Sequence, residues 1–437
     1  MNACLQLLGH LLGLRAPILA LRPVGDKPSF TAVFRQLSQA DGTFDATRLV
    51  PTAPDSLPPL QPPRLCRLNS GVADLFDSAG GIGGLTVDAD KQPLVAAVHD
   101  VLARLWGRDA LAVFTPDAFL KRMWLSLPRF AGYRQHDAEE FCRGLLVALD
   151  SELSPAPPRP SPQVSPAPTL LTSLVGGAVS SRVTCGTCGT VSAREEPFFG
   201  PLSVEVTQSA RKGRGSCRLE DCLAAAFSDE ALEGDSAYDC ERCKRKCSAV
   251  LSRRLVRLPP VLIIHIVRTD WAAGGRKVMT TVVPPLLPSS GGMRGSRSIG
   301  KGADSAEHGS GPQLLDLRPW MLPPGSPPGA PPPEPARRRG AAVAAPAARA
   351  QAPAPSPLSS LHSGSTLYEL RSVVEHAGAT LSSGHYVNYS VHAAPSVAGD
   401  GGDWWMFNDT RVSRAPLTSV ASAQAYLFGF EQRRSEY

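Results

Sequence analysis

SSGHYVNYSV, residues 382–391, and WWMFNDTRV, residues 404–412, decide how this chain reads. Both are short, rich in aromatic and β-branched residues, and bounded by Gly, Ser and Asp turns, so they are predicted as neighbouring strands. His385 stands on the first strand and Asn408–Asp409 at the end of the second. A carboxamide or carboxylate beside an imidazole fixes its tautomer, which makes such a pair a base and its orienter for a thiol or hydroxyl nucleophile. Taken alone, a Gly-His-Tyr is more often structural than catalytic. Strand-like runs on either side, YELRSVVEH from Tyr368 and YLFGF from Tyr426, extend the sheet.

Further upstream the period changes. Leu5, Leu8, Leu11, Leu12 and Leu14 fit an amphipathic or buried helix. Pro93–Trp106 places Leu94, Val95, Val98, Val101, Leu102 and Leu105 on one face. Pro116 opens a short helix, and a third pattern runs from Asp137 to Leu153 with Phe141, Leu145, Leu146 and Leu149 in one stripe. Asp137 sits where an N-cap or first-turn acid belongs.

Between these halves lie two C-x-x-C knuckles, Cys185–Cys188 and Cys240–Cys243. Two such turns present four thiolates, the closed set that a tetrahedral zinc ion needs, on a ribbon whose arms are strands. Cys247 lies one helical turn past Cys243 as a spare. Cys217 and Cys222 lack knuckle partners, and Cys4, Cys66 and Cys142 stand among apolar neighbours as core residues. LIIHIV, residues 262–267, reads as a buried strand, and Val278–Leu287 as a second strand with its exit.

Composition sets the limits. The chain has 437 residues and a formal charge of +6, but much of that excess sits in one linker-like stretch, so no folded basic face points to nucleic acid. No apolar run is long enough to span a bilayer, and the N-terminal run lacks the basic start of a secretion signal. The expectation is an intracellular protein of the cytoplasm or nucleus. Residues 322–357 hold 12 Pro and 11 Ala and cannot build a packed core. LLDLRPWM, residues 314–321, is an apolar island suited to docking as an edge strand or turn.

In order along the chain, MNACLQ at Met1, GYRQHDAEEF at Gly132, VTCGTCG at Val183, YDCERC at Tyr238, LPPVLIIHIVR at Leu258 and the four C-terminal strand segments resemble the boxes of the ubiquitin-specific proteases. The resemblance implies an α+β, papain-like fold of thumb, palm and zinc-bearing fingers. The helical thumb takes 1–168 and the fingers arm 169–257. The palm sheet takes 258–288, 312–321 and 362–433, with disordered inserts at 289–311 and 322–361.

It further implies hydrolysis of the bond after the C-terminal glycine of ubiquitin. Ubiquitin and ubiquitinated proteins are then the partners, and structural Zn2+ held by Cys185, Cys188, Cys240 and Cys243 is the only cofactor. His385 becomes the general base, Asn408 the third triad position and Asp409 an acid that shares its role. Asp137 and Glu140 match positions that meet the substrate, whose tail carries arginines before its terminal Gly-Gly. His376 lines the tail channel, and Gly384 leaves room for a glycine tail to pass.

Two positions depart, the lesser being Thr269, where the family often has an aromatic after the Arg. The family's nucleophilic cysteine falls before Met1, so the expectation is a truncated or mis-started chain that is inactive as given; the alternative is a ubiquitin-binding pseudoenzyme. Cys4 does not substitute. On the same helix it stands about 140° round and about 7.5 Å along from the nucleophile position, away from the helix N-terminus that would lower its pKa.

Overall fold

The computed structural model describes residues 2–11, 18, 22–23, 86–106, 116–132, 134–154, 168–211, 215–271, 274–286, 314–324, 326, 365–381, 383–391 and 404–433. The stretches read as disordered, 289–311 and 322–361, lie outside these residues except for 322–324 and 326, as does Cys66. Among the described residues no helix is long and apolar enough to cross a membrane.

An eight-stranded sheet organises the C-terminal half. Its order is 411–414, 404–408, 385–391, 367–377, 425–432, 261–267, 202–205, with Leu315–Asp316 of the apolar island pairing on Tyr368 and Leu367. All neighbours are antiparallel except 261–267 with 202–205.

The run Val261–Val267 lacks a polar face because both its faces are covered. Val261 and Ile263 join a core shared with the helices, while Leu262, Ile264 and Ile266 join a second core on the other side. Strands 367–377 and 425–432 split in the same way, Val374 and Leu427 to the first core, Val373, Phe428 and Phe430 to the second. Side chains that alternate sides and find protein on both produce an unbroken apolar run.

The first core is the meeting of thumb and palm. Asn2–His10 packs against strands 385–391, 367–377 and 404–408 and against helix Ala138–Leu153. Its buried Cys4, Leu7 and Leu11 meet the sheet where Gly429 leaves room for Leu7 and Leu11. Pro93–Trp106 and Ala138–Leu153 complete the helical layer. Asp137 caps the latter helix, its carboxylate accepting from the Glu140 N–H at 2.9 Å.

The fingers form a separate antiparallel sheet, 191–199, 176–185, 249–257, 230–232. A short helix, Leu219–Ala226, was not legible in the sequence; it packs through Leu219, Cys222 and Leu223 on the second core. The predicted strand Val278–Leu287 shrinks to Thr281–Val283, since Val278 and Thr280 give their carbonyls to a side chain instead of a ladder.

That side chain is Arg268, which is 1% exposed. Its Nε donates to Ala425 O at 2.8 Å, and its Nη1 to Val278 O and Thr280 O, each at 2.9 Å. Replacing it by methionine strands three buried carbonyls, so Arg268→Met is expected to lower unfolding free energy by about 3 kcal/mol or more in a denaturant titration.

Candidate active site and metal centre

His385 and Asn408 are delivered by neighbouring strands. Strand 385–391 starts opposite Ala377 of strand 367–377, and strand 404–408 ends in a two-residue turn, Asp409–Thr410, that joins Asn408 to its partner Arg411. Asp409 takes a φ of 49°, a left-handed conformation that Asp tolerates better than most residues. The result is a 2.7 Å contact between His385 Nε2 and Asn408 Oδ1. An amide oxygen only accepts, so Nε2 carries the hydrogen and the lone pair is left on Nδ1. Asp409 Oδ2 is 3.7 Å from the same Nε2.

Immediately before His385, Gly384 lies against the buried ring of His376. A Cβ at Gly384 would stand 2.1 Å from His376 Nε2. The Gly384 carbonyl also accepts from Gln135 Nε2 at 3.1 Å, a link from the thumb to the histidine strand. Sequence reading missed Gln135, although it directly precedes the His136–Asp137 pair of the quoted box.

Asp137 is doubly used. Besides capping its helix, it accepts a hydrogen bond from the Tyr426 hydroxyl. Tyr426 in turn meets the ring of His265 edge-on at 4.8 Å, and His265 Nδ1 lies 3.1 Å from Ser203 Oγ. Glu140 faces solvent and pairs with Arg129 at 3.1 Å. His376 packs on Tyr386 at 4.7 Å; burial, then the nearby Lys277, lower its pKa.

Cys4 is fully buried, its thiol donating to Ala138 O at 3.2 Å. Burial pushes the thiol up to about 11, so it is not a nucleophile at neutral pH. Among the described residues no cysteine hydrogen-bonds His385.

At the fingertips the sulfurs of Cys185, Cys188, Cys240 and Cys243 all lie within 4.8 Å of one another, with Cys188 and Cys240 3.7 Å apart. Four sulfurs at about 2.3 Å from one zinc are about 3.8 Å from each other, so the donor set fits a tetrahedral ion. Both knuckles close on backbone bonds, Gly189 N to Cys185 O and Lys244 N to Cys240 O, with Gly189 and Lys244 at positive φ. A hydrogen bond with the Thr190 hydroxyl leads the causes that lower Cys188 to about 6, which favours the ligating thiolate. Cys247, read as one helical turn past Cys243, lies instead on strand Arg245–Cys247. It is buried beside Cys185 and Cys240 with its thiol donating to Arg245 O, and stands outside the four-sulfur set. Cys217 and Cys222 lie 3.6 Å apart in the second core.

A helical layer and a sheet that meet at a histidine–asparagine pair, with a zinc-type knuckle arm, define the papain-like class with fingers. The chain belongs to the ubiquitin carboxyl-terminal hydrolase family, whose model matches residues 1–430. It is 27% identical over 366 residues to mouse ubiquitin carboxyl-terminal hydrolase 3, covering 78% of this chain and 57% of that protein. It is 25% identical over 465 residues to ubiquitin carboxyl-terminal hydrolase 44 of Ailuropoda melanoleuca, covering 100% of this chain and 56% of that one. The chain thus spans little more than half the length of the curated relatives it matches. Its fold is similar to that of the SAGA Ubp8/Sgf11/Sus1/Sgf73 DUB module bound to ubiquitin aldehyde. The TM-score is 0.53 at 20% identity, over 78% of this chain and 60% of that chain.

Burial lowers His265 to about 4, against an ordinary value near 6.5. The unfolded chain therefore binds a proton between those values that the native one refuses. Stability on this account is complete above pH 6.5 and is lost as pH falls towards 4. His265→Gln is expected to remove roughly 1–3 kcal/mol of that acid-side loss, read as a flatter dependence of the denaturation midpoint on pH between 6.5 and 4.

Proposed function

We propose that this chain is the larger part of a deubiquitinase catalytic domain that cleaves the bond after ubiquitin's terminal glycine. The observation that carries the reading is the His385–Asn408 contact at the junction of thumb and palm. Nδ1 of His385 takes the proton of a cysteine thiol, and the thiolate attacks the carbonyl carbon of the glycine. The imidazolium returns the proton to the departing lysine amine, leaving a thioester. Water then attacks the thioester, gives its proton to Nδ1, and releases ubiquitin with a free carboxylate as the thiol is restored. Asn408 keeps the tautomer throughout, and Asp409 stabilises the imidazolium.

The substrate tail is assigned to the surface beside Gly384, above the buried His376, with Asp137 and Glu140 facing its arginines. The fingers' four cysteines hold structural zinc, which supplies folding free energy to the arm and takes no part in the reaction.

On a ubiquitin–coumarin amide, protein that carries the reacting thiol is expected to turn over, and His385→Ala lowers its kcat/KM by about 10²-fold or more. Full turnover after His385→Ala would sink this assignment. Metal analysis is expected to return one zinc per chain. Cys188→Ser loses it and speeds amide exchange in strands 176–185 and 249–257 before the palm changes; a zinc-free parent contradicts the assignment.

A further inference from the structure

The segment that ends in His385 is held by a lysine from another part of the chain. Strand 367–377 leaves the sheet after Ala377, and the chain re-enters it at His385, which is the register partner of Ala377. Where the imidazole sits therefore depends on how the two ends of the intervening turn meet. They meet without spare room. A Cβ on Gly378 would lie 2.7 Å from Ser383 O and 2.8 Å from Gly384 Cα, and Gly384 itself rests on the His376 ring.

Lys277 closes this root. Its Nζ donates to His376 O at 2.8 Å and to Gly378 O at 2.5 Å, the two carbonyls that flank Ala377. The lysine ends the strand pair Thr269–Asp270 with Arg276–Lys277, so it joins that hairpin to the turn. Its side chain is half-buried, and among the described residues no carboxylate forms an ion pair with it. The charged groups facing it are Arg268, which repels, and Glu375, which attracts. Burial first, then Arg268, lower it to about 8, so its burial as a cation is costly. Two carbonyl dipoles converging on one ammonium offset that cost, and they do so at the carbonyl groups that set the turn.

We propose that Lys277 is a positioning residue for His385. By gripping the carbonyls of His376 and Gly378 it keeps Gly384 seated on His376, and so holds the imidazole in reach of Asn408. The proposal rests on His385 being the base, yet its test needs neither ubiquitin nor turnover and so can fail independently of that reading.

The test uses the 437-residue chain with Lys277→Met, the milder Lys277→Gln, which keeps a neutral donor, and Lys277→Arg, which keeps the charge. Nitrogen chemical shifts of the His385 ring report the tautomer, and hydrogen exchange reports the amides of residues 378–385. The parent is expected to show one tautomer, with the hydrogen on Nε2. Lys277→Met is expected to mix the tautomers and speed exchange at 378–385 by at least 10-fold while strand 249–257 in the fingers keeps its protection. Lys277→Arg is expected to restore the parent pattern. Unchanged His385 shifts and unchanged exchange in Lys277→Met overturn the proposal. So does a loss of protection spread evenly over fingers and palm in both Lys277→Met and Lys277→Gln, which would make the lysine a general stability residue.

Discussion

The buried guanidinium of Arg268 is the constraint on which the palm depends. It follows directly on strand 261–267 and gathers carbonyls from Ala425 at the start of the last strand and from Val278 and Thr280 on the exit of the hairpin. Its Nη1 also reaches Gln424 Oε1 at 3.2 Å. Gln424 continues the web, its N–H donating to Glu375 and its carbonyl accepting from His376 N–H. Strands that are far apart in sequence are thus fixed at the one edge where the candidate site opens. Burial lowers Arg268 only to about 10, so the group stays charged at neutral pH. A charge kept in the interior, with no carboxylate in ion-pair contact among the described residues, is stable only while its carbonyl partners stay where they are, which makes the arrangement rigid.

Lys277 repeats that device closer to the surface. Both cations grip backbone oxygens, and both lie near Glu375. Backbone carbonyls are present whatever the side chains, so a cation of the right length can fix a turn whose sequence, Gly378 to Gly384, has little to pack. The alternative, a turn ordered by its own apolar contacts, is closed to a segment of Gly, Ala, Thr, Leu and Ser whose Leu381 is exposed.

Those features also mark the limit of what the sequence shows. The His385 and Asn408 strands were legible because alternation and turn residues are local signals. The knuckles were legible because two ligands in four residues are a local signal too. Asp137 was read as a helix cap for the same reason, and it is one. Gln135, Arg268 and Lys277 left no such trace. Each is a single polar residue whose partner is a carbonyl at or just beyond the end of a distant strand, 249, 157 and 101 residues away. Any residue type can supply that carbonyl, so the sequence does not name the partner even where the polar residue falls within a quoted box. The mistaken helical turn at Cys247 has a related cause: spacing of four was taken as a helix, where a hairpin with Lys244 at φ 54° sets the geometry instead.

The acids of the thumb show how local signals and tertiary partners divide the work. Asp137 and Glu140 sit three residues apart at one helix start, and only the surrounding structure separates them. Asp137 spends one oxygen on its helix N–H and the other on Tyr426, so it ties thumb to palm before any ligand arrives. Glu140 is half-exposed and holds Arg129, whose guanidinium also lies over the Phe130 ring at 4.9 Å. That pair is solvated, and exposed ion pairs are worth about 1 kcal/mol or less. An arginine arriving from a substrate tail would therefore displace Arg129 at little cost, exchanging one screened pair for another. Asp137, by contrast, would have to give up a partly buried hydrogen bond to change partners. Of the two acids, Glu140 changes partners at little cost, and Asp137 does so only by giving up its bond to Tyr426.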